Sequence, residues 1–162
     1  FHTAAGATTV YITHDQREAM ALATRIAVMQ GGQFLQVGTP EEIHDRPVSA
    51  EVARFIGRAA VVSAIRARTN AGPVLRLGPL EAPVCAGREG RVQAVVRPGD
   101  VRLGDGAVQG RVASAAYRGG GWEGRVAVEG LDEALPVASP RPLRMGELVP
   151  LSLSSAWVLP EA

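Results

Sequence analysis

The spacing of apolar residues changes near Gly57, and that change decides what this 162-residue chain can fold into. Before it, helix starts and one hairpin signal dominate. After it, short alternating apolar runs are cut by glycine turns. In the first part, Gly6 is placed to close a helix over residues 1–5, and residues 7–13 form a β-branched run that predicts a strand. Asp15 can cap a helix whose Ala19, Leu22, Ala23 and Ile26 recur at helical spacing. Residues 25–30 read as a buried strand, turned by Gly31-Gly32 into a second strand over 33–37. Thr39-Pro40-Glu41-Glu42 is a helix start in which threonine caps, proline takes the first helical position and Glu42 completes a capping box. A further short helix starts at Ser49 and runs through Val52, Phe55 and Ile56 to Gly57.

From Arg58 onward no helix is expected. The runs 61–68, 74–77, 92–97, 110–116, 125–129 and 149–153 alternate in the manner of half-buried antiparallel strands. Asn70-Ala71-Gly72, Gly104-Asp105-Gly106 and Gly119-Gly120-Gly121 read as the turns between them. Regularly spaced short strands with glycine turns argue for a small barrel or sandwich. The fold class expected is therefore α+β, with an α/β piece over residues 1–57 and an all-β domain over 58–162.

Hydrophobic residues make up 46% of the chain and charged ones 20%, an ordinary globular balance. The formal charge of +1 offers no electrostatic case for nucleic acid or an anionic membrane. No apolar run reaches the roughly 20 residues of a spanning helix, so a membrane link is expected to go through a partner. The single cysteine, Cys85, excludes an internal disulfide and reads as a small buried residue in a reducing compartment. His2 and His44 have no metal-ligand spacing with His14 or Cys85, so no zinc site is expected. Trp122 and Trp157 read as core or interface anchors. Arg88, Arg91, Arg97, Arg102, Arg111, Arg118 and Arg125 alternate with acidic residues and read as solvated surface.

The wording of the opening is more specific. Thr8-Thr9-Val10-Tyr11-Ile12-Thr13-His14-Asp15-Gln16-Arg17-Glu18-Ala19 resembles the switch-histidine segment of ATP-binding cassette (ABC) transporter ATPases. Arg25-Ile26-Ala27-Val28-Met29, the block from Gly32 to Ile43, and Ala53-Arg54-Phe55-Ile56-Gly57 are similar to the blocks that end an importer-type ATPase domain. Val95-Val96-Arg97-Pro98-Gly99-Asp100-Val101-Arg102-Leu103, followed by Tyr117-Arg118-Gly119-Gly120, resembles the TOBE accessory domains behind the ATPases of maltose, polyamine and ferric-iron importers. Gly99 stands where that family usually has glutamate, and Thr24 where it usually has aspartate. The resemblance implies the back end of a larger subunit: the end of an ATPase domain, then an oligonucleotide/oligosaccharide-binding (OB)-fold-like TOBE domain for dimerisation and regulation.

By the same resemblance His14 is the switch histidine, bonding a γ-phosphate oxygen and holding the attacking water during phosphoryl transfer. Taken alone, a histidine there can equally cap a helix or bond a carbonyl, and Asp15 reads as a helix cap. The chain holds no G-x-x-x-x-G-K-[ST] loop, no acidic strand end for magnesium and no family signature motif. It is therefore expected to bind no cofactor and to be no enzyme by itself, with ATP and Mg belonging to the full-length subunit. The implied partners are a second copy of the chain and the transporter's permease subunits, and the implied location is the inner face of the cell membrane. Ferric iron or polyamine is the implied solute. The alternative is an independent small-oxyanion-binding domain, since related folds bind molybdate or tungstate.

Overall fold

A computed structural model describes residues 8–85 and 87–160, and most of the ordered elements are strands. The helix expected over 1–5, its Gly6 cap, Ala7 and His2 lie outside the described residues.

Each helix begins where its side chains satisfy the first free amides. Helix α1 (Gln16–Leu22) is capped by Asp15, whose Oδ1 accepts from Arg17 N at 2.8 Å and Glu18 N at 3.3 Å. In α2 (Pro40–Asp45) the expected capping box forms: Glu42 N donates to Thr39 Oγ1 at 3.3 Å, and Thr39 N to Glu42 Oε2 at 2.9 Å. Ser49 caps α3 (Ala50–Phe55) through Val52 N at 3.4 Å. Between α1 and α2 lies the antiparallel hairpin of β1 (Ile26–Gln30) and β2 (Gln33–Gly38), turned by Gly31-Gly32 with both glycines at positive φ. Ile26, Val28, Ile43, Val52 and Ile56 make a small core beneath it.

The strand expected over 7–13 is not formed by residues 8–13, which carry no regular secondary structure and are largely exposed. A strand needs a neighbour for its backbone donors and acceptors, and no other strand lies beside this run among the described residues. The helical repeat is also shorter than the sequence suggests. Helix α1 ends at Leu22, which is exposed, and Ile26 has already entered β1.

The remaining strands form two antiparallel sheets. One has the order β11-β6-β3-β4-β5, from β3 (Ala60–Thr69), β4 (Gly72–Leu77), β5 (Leu80–Pro83), β6 (Gly90–Val96) and β11 (Trp157–Val158). The other has the order β10-β7-β8-β9, from β7 (Val101–Tyr117), β8 (Trp122–Val128), β9 (Leu135–Ser139) and β10 (Leu148–Leu153). Both contribute alternate side chains to one shared core. Ala60, Val62 and Ala64 come from β3, Leu75 and Leu77 from β4, Val126 and Val128 from β8, and Val149, Leu151 and Leu153 from β10. Such curled sheets around a single interior suit an OB-like domain.

Gly104-Asp105-Gly106 does not separate two strands as expected. Leu103 faces Leu151 while Gln109 faces Pro150, so residues 104–108 loop out of one continuous β7. Gly106 permits this because a Cβ there would collide with the Leu151 carbonyl. Gly119-Gly120-Gly121, by contrast, is the expected hairpin tip, joining Tyr117 to its partner Trp122. Cys85 is exposed rather than buried, since it follows β5 where the chain leaves the sheet.

The loop before β9 is fastened to β3 by Asp132. Its Oδ2 accepts from Ser63 Oγ at 2.8 Å and Ser63 N at 3.3 Å. The Ser63 hydroxyl, aided by backbone amides and the Arg54 charge, holds this carboxyl below its usual pKa, with slight burial opposing. A carboxyl that titrates lower in the folded state stabilises the fold above the unfolded pKa of about 3.9, and that contribution is lost as pH falls through the lowered value. Denaturant midpoints followed from pH 7 down to pH 2.5 should show this component, and Ser63→Ala should flatten it. An unchanged acid limb in the variant would show that the hydroxyl does not set the titration.

Candidate functional site

His14 sits at the entry to α1, fixed by its neighbours on both sides. Asp15 N donates to Thr13 Oγ1 at 3.0 Å, and Thr13 Oγ1 donates to Glu18 Oε2 at 3.1 Å. Tyr11 OH reaches the same Glu18 oxygen at 3.3 Å. This network sets the backbone on either side of His14 and leaves the imidazole exposed. An exposed imidazole at a helix start is free to meet an anionic group presented to it.

The second centre was not foreseen in the sequence. Arg97, read there as solvated surface, is only 9% exposed. Its Nη1 donates to Ile56 O at 2.7 Å and its Nη2 donates to His44 O, so one guanidinium bonds the last turn of α2 and the C-cap of α3. Helix ends present unpaired carbonyls and partial negative charge, which a fork of N–H donors matches. Burial lowers the pKa of Arg97, and the charges of Asp100 and Asp45 oppose that shift. Gly57, at φ +82°, keeps the space open: a Cβ there would strike Arg97 Nη1 and crowd the His44 ring. Half-exposed His44 pairs its Nδ1 with Asp45 at 2.7 Å and supplies only its backbone to the clamp.

Asp100 anchors the other side of Arg97. Its Oδ2 accepts from Arg97 N at 2.7 Å, its carbonyl accepts from Ser154 N at 2.8 Å, and its Oδ1 accepts from Ser155 Oγ. Gly99 faces open space, so the glutamate usual at that position would fit without rearrangement. Trp157 Nε1 donates to Pro47 O at 3.1 Å, and Ala53 packs with Val61, Val95 and Leu159 on the outer face of the larger sheet. Gln36 closes the unit by reading the α2–α3 loop, with Nε2 to Arg46 O at 3.1 Å and Oε1 from Val48 N at 3.0 Å. Trp157 is thus an anchor between the two parts, while Trp122 packs partly buried against the main core and tilts on Tyr117. Only the dipeptide Arg97-Pro98 hinted at these roles in the sequence.

Arg97→Ala should cost about 3 kcal/mol, since two charge-assisted hydrogen bonds vanish and two buried carbonyls lose their donors. Arg97→Lys should recover less than half, because an ammonium lacks the planar fork. Urea melts check the loss, and hydrogen exchange should show α2 and α3 amides opening before those of the β-domain. Uniform acceleration across both parts would show that Arg97 does not hold the helices.

Comparison with known proteins adds the family context. Residues 94–159, from the end of β6 to β11, match the TOBE domain model. The chain is 36% identical over 118 residues to the sulfate/thiosulfate import ATP-binding protein CysA of Caulobacter vibrioides, covering 73% of this chain and 34% of that protein. It is 38% identical over 130 residues to the Fe(3+) ions import ATP-binding protein FbpC of Agrobacterium fabrum, covering 76% and 37%. With the spermidine/putrescine import ATP-binding protein PotA of Acidothermus cellulolyticus it shares 44% identity over 107 residues, covering 61% and 27%. The chain thus spans about a third of the length of these relatives. Residues 94–159 thus match the TOBE domain, and over most of its length the chain is similar to part of the ATP-binding subunits of importers.

Proposed function

We propose that this chain is the regulatory and coupling end of an importer's ATP-binding subunit, carrying the switch histidine at His14 and a TOBE domain that follows the movements of the ATPase. The observation that supports this reading is the Arg97 clamp. A guanidinium that bonds two helix ends from within the TOBE motif makes the helices and the β-domain move together. Nucleotide-driven displacement of the helical part would then be delivered to the β-domain, where a second copy or the permease subunits can sense it. In this reading ATP and Mg are bound elsewhere in the full-length subunit, and this chain turns over no ATP by itself. The subunit lies on the cytoplasmic side, held to the membrane through its permeases; among the described residues no helix is long and apolar enough to cross a membrane. Ferric iron and polyamine stand as the proposed solutes, and pairing with a second copy as the proposed assembly.

Two substitutions in the full-length subunit test the reading. His14→Ala should lower kcat by orders of magnitude while leaving KM for ATP nearly unchanged, because the imidazole acts as charge shifts on the transferring phosphoryl group. A raised KM with kcat intact would make His14 a ground-state binding residue. Arg97→Ala, assayed with the membrane subunits in vesicles, should lower solute uptake per ATP hydrolysed. An unchanged ratio would remove the coupling role.

A further inference from the structure

Both neighbours of His14 are tied to the same residue, Glu18 in the first turn of α1. On one side Thr13 Oγ1 donates to Glu18 Oε2 at 3.1 Å. On the other, Asp15 Oδ1 accepts from Glu18 N at 3.3 Å. Tyr11 OH donates to the same Oε2 at 3.3 Å, so two hydroxyls from the segment before His14 converge on one carboxylate oxygen.

This arrangement is a capping box with a hydroxyl inserted into it. In the box at Thr39 the third helical residue, Glu42, accepts directly from the backbone amide of the cap. Glu18 holds the same position behind its own cap, Asp15. Here, however, the Asp15 amide donates to Thr13 Oγ1 at 3.0 Å, and that hydroxyl in turn donates to Glu18. The bond from Asp15 N back to Thr13 Oγ1 closes a turn around one residue, His14, and so restricts its two backbone dihedrals. A hydroxyl rotates to suit its surroundings until a strong acceptor takes its hydrogen, and the Glu18 carboxylate is that acceptor.

Residues 8–13 pair with no strand among the described residues, so these side chains and not a sheet set how the chain enters α1. His14 is exposed, and its ring makes no hydrogen bond within the described residues. An imidazole without bonds of its own points where its backbone sends it. Because α1 buries no residue completely, helix and histidine can shift together without breaking the network.

On the reading of His14 as a switch histidine, we propose that Glu18 is its positioning residue: through Thr13 and Tyr11, the carboxylate sets where the imidazole meets the transferring phosphoryl group. Glu18 touches no substrate and works only by holding the side chain that does. A misplacement of about 1 Å at such a side chain costs on the order of a hundredfold in rate.

The test is steady-state ATP hydrolysis by the full-length subunit. Glu18→Ala and Thr13→Val should each lower kcat by about tenfold while KM for ATP stays nearly unchanged. Thr13→Ser keeps the hydroxyl and should restore most of the rate; a serine variant as slow as the valine one would overturn the proposal. Glu18→Gln still accepts a hydrogen bond but without charge assistance, so it should fall between. In a His14→Ala background neither Glu18→Ala nor Thr13→Val should lower kcat further, because nothing is left to position. An equal loss with and without the imidazole would make Glu18 merely structural and reject the proposal. So would a Glu18→Ala subunit with native kcat, or one whose defect lies in KM alone. If His14→Ala itself leaves kcat intact, the switch reading fails and the role of Glu18 falls with it. A low kcat in His14→Ala beside a native kcat in Glu18→Ala rejects the role of Glu18 alone. Circular dichroism checks the folding of each variant, and Glu18→Gln carries the test if the alanine variant unfolds.

Discussion

The order of residues 40–57 depends on one buried cation. Helices α2 and α3 have six residues each, far below the length at which a helix is stable in water by itself. Their N-termini are capped locally, by Thr39 with Glu42 and by Ser49, so the first amides are satisfied within the segment. The other ends have no such local solution and take their donor from Arg97, more than 40 positions ahead of Ile56 in the chain. A guanidinium out of water is costly unless its donors are used. Arg97 and the helix ends therefore require each other: the carbonyls make the burial tolerable, and the guanidinium makes the short helices endure.

That mutual requirement explains why the linker is built as it is. A Cβ at position 57 would occupy the path of the guanidinium, which fixes glycine there on steric grounds as well as by its positive φ. The same turn aims Arg58 at Glu123 of β8. One two-residue kink thus admits the clamp and aims the neighbouring cation. Asp100 plays the matching part on the β side, where its backbone and carboxylate hold Arg97 to the segment that leads into β11.

What was legible in the sequence was local. The Thr39–Glu42 capping box, the Asp15 and Ser49 caps and the Gly31-Gly32 turn each depend on residues within a few positions, and each appears as read. Strand β9 escaped notice because Leu135, Pro136 and Val137 are buried in succession and show no alternation. Short β5 was hidden by the prolines at both of its ends, and β11 has only two residues. The strand expected before His14 failed for the opposite reason: its β-branched composition is real, but pairing is a property of neighbours, not of composition. Arg97 was misread because burial of a cation depends on carbonyls that only the fold brings to it. His14 could be singled out from the sequence wording, whereas the ion pairs of Arg54 and Arg125 with Glu133 and of Arg58 and Arg118 with Glu123 join distant positions and have no linear signature.

The two ends of the helical part are held very differently, and this bears on how a switch there could act. Helices α2 and α3 carry buried Ile43, Val52 and Ala53 and are tied to the β-domain by the clamp, Trp157 and the Val61–Val95 face. Helix α1 buries no residue completely and rests on the small core only through Ala19 and Met20, with Ala23 behind it. Around His14 the apolar side chains point outward, with Val10 87% and Ile12 92% exposed. Apolar surface of that kind is stabilised by whatever covers it. In the proposed subunit that cover is the rest of the ATPase domain. Contacts made around His14 would then be exchanged at little cost as nucleotide comes and goes, while the firmly seated α2–α3 pair carries the resulting displacement into the β-domain. In that proposed subunit, a loosely held segment around His14 joined to a firmly held α2–α3 lever is the arrangement by which a small event at one histidine would reach the β-domain.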